Sequence, residues 1–343
     1  MLTDRNDTLQ RSFVIFFSYF NCTIKNYWYA KEKIEQRKSI MVTSSQADIT
    51  AETTSSNARL AYIDFKLYFT GRVTRSDLKD AFGIAEAAAS RVLTEYSKRR
   101  PNNKTQKTNT IIRDTFEPLT DIDGELALGM LANGFNSNKI FGVTELSYEK
   151  IGKIPNQLNT SEVAMITRAI AGNYAISCKY LSENSTNHER RTLVPLAIMY
   201  DGTSWMFRAF DRSELVANKF KNFHFARVRD VDEEHEIKES RQHDNEALTQ
   251  DKLWNLRLPL ILKLHPSLSE KNKSKVRTDF GMASDKEELI VTERAAFRWI
   301  VEKKWYIDTR SNEMKLEDDK KGFNRFYKFE LSNLEMVEQM EKA

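Results

Sequence analysis

Apolar residues recur along this chain with two different periods, and the change from one to the other divides it. From Arg59 the spacing is helical: Leu60, Ile63, Leu67 and Tyr68 fall three to four apart, and Gly71 ends the run. Thr74-Arg-Ser-Asp77 forms a capping-box-like start for a second helix through Leu78 to Phe82, which Gly83 breaks. A third helix is predicted from about Ala85 to Arg99, with Ala88, Ala89, Val92, Leu93 and Tyr96 on its inward stripe. Two helices joined by a short glycine-containing turn are the helix-turn-helix pattern. From Asn173 the period becomes two. Asn173–Leu181, Thr192–Tyr200, Thr203–Phe210 and the stretch to Val228 predict about four strands of a small antiparallel sheet or barrel, with Asp201-Gly202 at a tight hairpin.

Other segments are organised around these two. Gly124–Gly134 and Thr160–Ala171 read as helices that connect or straddle two domains, interrupted at Pro155. Asp232–Gln250 is highly charged and lacks aromatics, which predicts an exposed helix or linker. A strand-like Leu253–Leu264, a basic helical piece at Lys271–Arg277, a strand at Leu289–Thr292 and a helix at Glu293–Lys303 follow, an α+β module. The charged tail after Asp308, with GFNRFYKF at its centre, reads as a partner-binding arm. At the other end, Thr43–Asn57 has the composition of a flexible arm. Residues 1–40 are either an extra helix on the body or the product of a start codon upstream of the biological one at Met41. The resulting division is 1–57 extension and arm, 58–118 helix-turn-helix domain, 119–172 helical linker, 173–232 sheet domain, 233–250 charged linker, 251–310 C-terminal module and 311–343 tail.

Composition narrows the chemistry. The 343 residues are 40% hydrophobic and 11% aromatic, ordinary for folded protein. The longest early apolar run, Phe13–Phe20, is far short of a membrane span, and Asp4 and Asp7 spoil a secretory n-region. Cys22 and Cys178 are isolated and the five histidines show no ligand spacing, so a reducing cytoplasm, no metal and no cofactor are expected. No paired carboxylates at metal-binding spacing, Ser/His/Asp arrangement or Gly-rich phosphate loop points to an enzyme.

Charge is more informative by location than in total. The whole chain carries +4, yet Arg59–Glu117 alone has twelve Lys/Arg against seven Asp/Glu. On the third helix the outward stripe is Ala87, Ser90, Arg91, Thr94 and Lys98, small or basic. Arg99, Arg100 and a polar loop bearing Lys104 and Lys107 follow, then the strand-like TIIRDTF, as a wing beside a recognition helix would be built. With Arg75 near the start of the preceding helix, these are the candidate DNA contacts; the alternative is a three-helix domain whose lysines only solvate it. In the sheet, Arg191, Arg208 and Arg227 are interleaved with Trp205, Phe207, Phe210, Phe223 and Phe225. Such arginines either line a polar pocket or pair with Asp211, Glu189 or Asp230, and the aromatics equally suit core packing.

These residues resemble a known family. Trp205-Met206-Phe207-Arg208 stands at the Trp-Tyr-Leu signature of bacterial WYL-domain regulators; Arg191, Pro195 and Leu196 match their Arg-x-x-x-Pro-Leu strand, and Phe223, Arg227 and Val228 the Phe-x-x-x-Arg-Ile/Val ending. Leu60-Ala-Tyr-Ile-Asp64, Leu67-Tyr-Phe-Thr-Gly71 and Phe82-Gly-Ile84 resemble the winged helix-turn-helix of BrxR/CapW-type repressors of phage-defence islands. The stretch from Leu258 through Ala295-Ala296-Phe297 is similar to their WCX-type dimerisation module. Met206 departs from the signature by removing a phenolic hydroxyl, and Phe207 replaces its leucine.

The resemblance implies an α+β multidomain protein: winged helix-turn-helix, Sm/SH3-like small β-barrel and C-terminal α+β module. It further implies a homodimeric cytoplasmic, nucleoid-associated repressor of a BREX-like operon, bound to an inverted repeat of double-stranded DNA and away from membranes. By positional match, a nucleotide or nucleic-acid ligand would be sensed at Tyr180, Ser182, Arg191, Trp205, Arg208, Phe223 and Arg227. Guanidinium forks suit phosphate and aromatic faces stack bases. The rival expectations are an activator responding to single-stranded nucleic acid from DNA damage, and a nucleic-acid-acting enzyme.

Overall fold

A computed structural model describes residues 44–141, 154, 157–182, 190–212, 219–233, 235–321 and 325–343. The readings made for residues 1–40, Met41, Pro155, Glu189 and Gly322 to Asn324 lie outside them. The chain divides into two compact units, residues 1–59 and 60–343. The described residues of the first, 44–59, are helical and belong to α1 (Ser44–Thr70), where a flexible arm was expected up to Asn57. No Gly or Pro interrupts residues 44–57, and Gln46, Ala47, Ala51 and Glu52 are good helix formers.

The second unit opens with the expected helix-turn-helix. Leu60, Ile63 and Leu67 of α1 are buried with Val73, Leu78, Ala89, Leu93 and Tyr96. α2 covers Arg75–Phe82 and α3 Glu86–Arg99. The capping box forms as read, since the Thr74 amide donates to Asp77 Oδ2 at 2.7 Å and the Asp77 amide to Thr74 Oγ1 at 3.1 Å. Gly83 closes α2 with φ 63°, a left-handed value costly for a residue with a side chain. The wing is tied back by single bridges, Arg72 to Thr110 and Lys104 to Ile111.

The middle of the chain builds one core. Helices α4 (Gly124–Asn133), α5 (Ser137–Phe141) and α6 (Thr160–Gly172) precede a five-stranded sheet: β1 Ile176–Tyr180, β2 Arg190–Tyr200, β3 Trp205–Asp211, β4 Phe220–His224 and β5 Val228–Glu233. Ala127, Leu128, Val163, Ile166 and Ala169 from the helices are buried with Ile176, Cys178, Leu193, Phe207 and Val228 from the strands. These helices therefore cover the sheet instead of serving as a linker. The strand order is β4-β3-β2-β1-β5. Its pairings leave β4 and β5 as edges, an open sheet where a barrel was expected. The β2–β3 turn is longer than a two-residue hairpin: Asp201 accepts the amides of Thr203 and Ser204, both at 2.7 Å, and Gly202 has φ 93°.

Asp232–Gln250 is not an exposed linker. β5 runs through Glu233, and short 3-10 turns follow in which Ser240 and Glu246 are buried. Arg212 holds this strap, donating to both Glu246 oxygens at 2.7 and 2.8 Å and to the carbonyls of Glu239 and Arg241 at 2.8 Å each. Composition misled here because each buried charge is neutralised from a distant part of the chain.

The C-terminal module has α7 (Lys252–Asn255), β6 (Arg257–Leu264), α8 (Glu270–Asp279), β7 (Glu288–Arg294), α9 (Arg298–Lys304), β8 (Ile307–Asp308), α10 (Asn312–Lys320), β9 (Phe329–Leu331) and α11 (Leu334–Lys342). Its sheet runs β7-β6-β9-β8. The helix expected from Glu293 starts later, after β7 and a 3-10 turn. The tail read as an arm supplies β9, with Phe329 wholly buried, so the module extends beyond residue 310. Of the described aromatics in that run, Phe329 becomes core because β9 is paired on both sides, whereas Phe326 stays exposed.

Candidate nucleic-acid interface and sensor sheet

The outward stripe of α3 is set by its inward one. Ala89, Leu93 and Tyr96 are buried, which turns Ala87, Arg91, Thr94 and Lys98 outward and leaves Ser90 half-buried. Ser90, Arg91, Thr94, Glu95 and Lys98 line a shallow groove of about 330 Å³. Among the described residues Arg91 and Lys98 carry no ion pair, while Arg99 is held by Glu95 at 2.7 Å and Arg75 by Glu86 at 3.2 Å. The Thr94 hydroxyl donates back to the Ser90 carbonyl at 2.9 Å. Two unpaired cations on one helix face are available to phosphate, as a counterion-releasing contact requires.

The wing divides the remaining candidates. Lys107 is exposed. Lys104 is only 3% exposed and its ammonium donates to Asn109 Oδ1 at 2.8 Å, so it is a strut of the wing and not a phosphate contact. Burial lowers its pKa from the ordinary value. Arg100 is half-buried and donates to the Pro118 carbonyl at 3.4 Å. Behind helix and wing lies a network the sequence reading did not identify. Asp64, 2% exposed, accepts the Tyr96 hydroxyl at 2.6 Å and the amides of Leu119 and Thr120 at 2.8 and 3.2 Å. Asn103 donates to Tyr96 Oη at 2.9 Å and to the Glu117 carbonyl at 2.7 Å. Burial raises the Asp64 pKa against these hydrogen bonds.

In the sheet, the sequence-predicted pocket is split between two faces. Tyr180 and Phe223 are buried in the helix-covered core, in edge contact with centroids 4.9 Å apart, and Phe207 stacks on Phe223 at 5.5 Å. Tyr180 Oη accepts the His224 amide at 3.2 Å. Trp205 packs on the same core and against Tyr200 at 4.7 Å. Arg191, 22% exposed, sits at that core's edge against the fully buried Asp211 at 3.3 Å, the ion-pair alternative, and Lys221 approaches the same carboxylate at 3.7 Å. Ser182 and Arg227 are half-buried.

Arg208 faces the other way and is not free for a ligand. Its Nε donates to Asp251 Oδ2 at 2.6 Å, one terminal nitrogen to Asp251 Oδ1 at 3.0 Å, and the other to Asn222 Oδ1 at 2.9 Å. Both side chains of the pair are at most 3% exposed. Asp251 also caps α7 by accepting the Trp254 amide at 3.1 Å, and Asn222 donates to the Ala296 carbonyl at 3.0 Å. The signature-strand arginine therefore fastens the sheet to the C-terminal module.

A second fastening joins the sheet to the winged helix. The Glu233 side chain, 6% exposed, accepts Arg168 through both oxygens and the Tyr174 hydroxyl at 2.5 Å, with Arg113 Nε at 3.7 Å. Arg168 also donates to the Tyr68 carbonyl at 2.7 Å, and its guanidinium lies 5.7 Å from the Tyr68 ring centre. Nothing in the local sequence marks Glu233, which sits in a run of charges.

Residues 55–119 match the BrxR transcriptional regulator winged helix-turn-helix domain, and residues 162–233 match the WYL domain. A DNA-binding transcriptional repressor CapW of Escherichia coli (strain KTE188) is 28% identical over 232 residues, 65% of this chain and 74% of the relative. Proteins of the same description from Pseudomonas aeruginosa and Stenotrophomonas maltophilia are 25% and 29% identical over 65% and 68% of this chain and 74% and 78% of their own. Among solved structures, proteasome accessory factor B/C of Arthrobacter aurescens is 16% identical with a TM-score of 0.23, covering 60% of this chain and 37% of that one. The helix-turn-helix with its wing and the five-stranded sheet thus coincide with the two matched segments, so the chain carries a BrxR-type winged helix-turn-helix domain followed by a WYL domain.

Proposed function

We propose that this chain is a DNA-binding transcriptional repressor that binds an inverted repeat as a homodimer. The observation that carries this reading is the pair of unpaired cations, Arg91 and Lys98, on the outward face of α3 beside a wing that exposes Lys107. The matched winged-helix domain and relatives named as DNA-binding transcriptional repressors support it. Two such readers would enter successive major grooves roughly 34 to 36 Å apart. Both matched domains are regulatory, and the chain is not an enzyme. No described helix is long and apolar enough to cross a membrane.

The finer parts of the reading are these. The C-terminal module is the dimerisation element, and the target is the promoter of a phage-defence operon that includes the protein's own gene. A nucleotide or nucleic-acid ligand is sensed at the Arg191 end of the sheet, where Lys221 adds a second cation, Arg227 ends a 3-10 turn and Ser182 follows β1. Arg208 has no part in ligand contact.

The test is a gel shift with DNA from upstream of the gene, using wild type and the Arg91→Glu/Lys98→Glu variant. Loss of the shift with retained dimer on sizing supports the reader; unchanged binding rejects it. Deleting the gene should raise transcription of its neighbours, whereas a fall identifies an activator.

A further inference from the structure

An aromatic-lined cleft lies at the β2–β3 hairpin end of the sheet, against the C-terminal module. It has a volume of about 370 Å³ and is walled by Tyr200, Met206, Trp254, Phe297, Val301 and Trp305. That volume falls at the lower end of the roughly 300 to 1,000 Å³ found for small-molecule sites. Met206, which stands where the family signature has tyrosine, adds a thioether to the wall, and Tyr200 brings the phenol on the sheet side.

The polar groups at the rim are unequally engaged. Asp201 spends its carboxylate on the amides of Thr203 and Ser204, and Glu293 accepts the Arg294 amide at 2.7 Å. Lys304 is exposed, and among the described residues its ammonium meets only the main-chain carbonyl of Asp201. A Cβ added at Gly202 would lie 2.6 Å from Lys304 Nζ, so the ammonium rests directly against the β2–β3 turn. The cleft therefore offers flat rings, a thioether and, beside the amide-bonded carboxylates of Asp201 and Glu293, one ammonium that among the described residues is ion-paired with neither.

We infer that this cleft binds a small organic anion with a flat apolar body, its acid group on Lys304 and its body between the aromatic side chains. A nucleic-acid strand is a poor match, because it brings one phosphate per nucleotide and the rim supplies a single lysine. The site is distinct from the Arg191 end of the sheet. It lies beside the Arg208–Asp251 pair, and its occupant would wedge the sheet against the C-terminal module.

Anilinonaphthalene sulfonate, an aromatic body with one acid group, is the probe. Titrated into the full chain, it should give saturable fluorescence with one site per chain. Val301→Trp, which fills the cleft, should abolish that signal, and Lys304→Gln, at an exposed position, should weaken binding about tenfold. 2-Naphthoate should displace the probe, whereas naphthalene, lacking the acid, should not. Equal binding by wild type and both variants overturns the site; loss only in Val301→Trp with Lys304→Gln unchanged overturns the anion. Circular dichroism of each variant separates a filled cleft from a failed fold. No DNA enters the measurement, so its failure leaves the repressor reading standing.

Discussion

Arg168 of α6 grips Glu233 at the end of β5 with both ends of its guanidinium, and its remaining nitrogen reaches the Tyr68 carbonyl in α1. One carboxylate thereby connects the DNA-reading helices, the helix that covers the sheet, and the last strand of that sheet. Removing either member leaves the other charged and buried, which costs about 3 to 5 kcal/mol. Glu233→Gln is expected to lose stability in that range by urea unfolding, and Tyr174→Phe, which removes only one donor to the charge, about 1.5 to 3 kcal/mol. Equal stability of Glu233→Gln and wild type would show that the contact is not formed in solution.

The pair Arg208–Asp251 makes a different kind of prediction. Asp251→Asn should destabilise strongly because it strands a guanidinium, yet Arg208→Met combined with Asp251→Leu should recover most of that loss, since apolar replacement of a buried pair is often neutral. A double-mutant cycle reads the difference directly. If Arg208 bound ligand instead, the single and double variants would lose stability alike and differ in ligand affinity.

Stability at low pH should report on the Arg212–Glu246 clasp. Burial raises the Glu246 pKa, but hydrogen bonds from Arg212 and the His243 amide, with the Arg212 charge, outweigh it and hold the carboxyl below its ordinary 4.5. A depressed carboxyl binds fewer protons folded than unfolded, so its stabilisation is complete above that ordinary value and is lost as pH falls through the folded one. Unfolding free energy measured from roughly pH 6 to 3 should drop less steeply for Glu246→Gln than for wild type. Parallel curves would refute the clasp.

Lys104 and Lys107, three residues apart in one polar loop, should separate in a salt titration of DNA binding. Lys107→Ala should lower the slope of log affinity against log salt by about 0.9. Lys104→Ala should leave the slope alone and instead loosen the wing, seen as a lower thermal midpoint. A reduced slope in Lys104→Ala would return that residue to the interface.

What could be read from the sequence was whatever repeats locally. The inward stripe of α3, the capping box at Thr74 and the strands flanking Gly202 follow from spacing and turn chemistry, and each formed. Ion pairing has no period. The partner of Arg208 lies 43 residues away, so that arginine was recognisable as anomalous without its purpose being visible, and Arg168, whose partner lies 65 away, was not singled out at all. The same blindness made Asp232–Gln250 look like a solvated linker and the tail look like an arm, although Glu246 is buried and Phe329 is core. Strand alternation was the one local clue that went unused: Trp205 and Arg208 stand three apart in β3, an odd spacing that sends them to opposite faces, so they could not share a pocket.

Asp64 binds the recognition helix through Tyr96 and the chain leaving the wing through Leu119 and Thr120, while Asn103 ties the wing's first residues to the same hydroxyl. Helix and wing are consequently locked to a common post on α1. In the proposed dimer, a signal arriving from the sheet would meet a reading head whose internal spacing is already set, and would change the grip on DNA only by carrying that head to a new distance or angle from its twin.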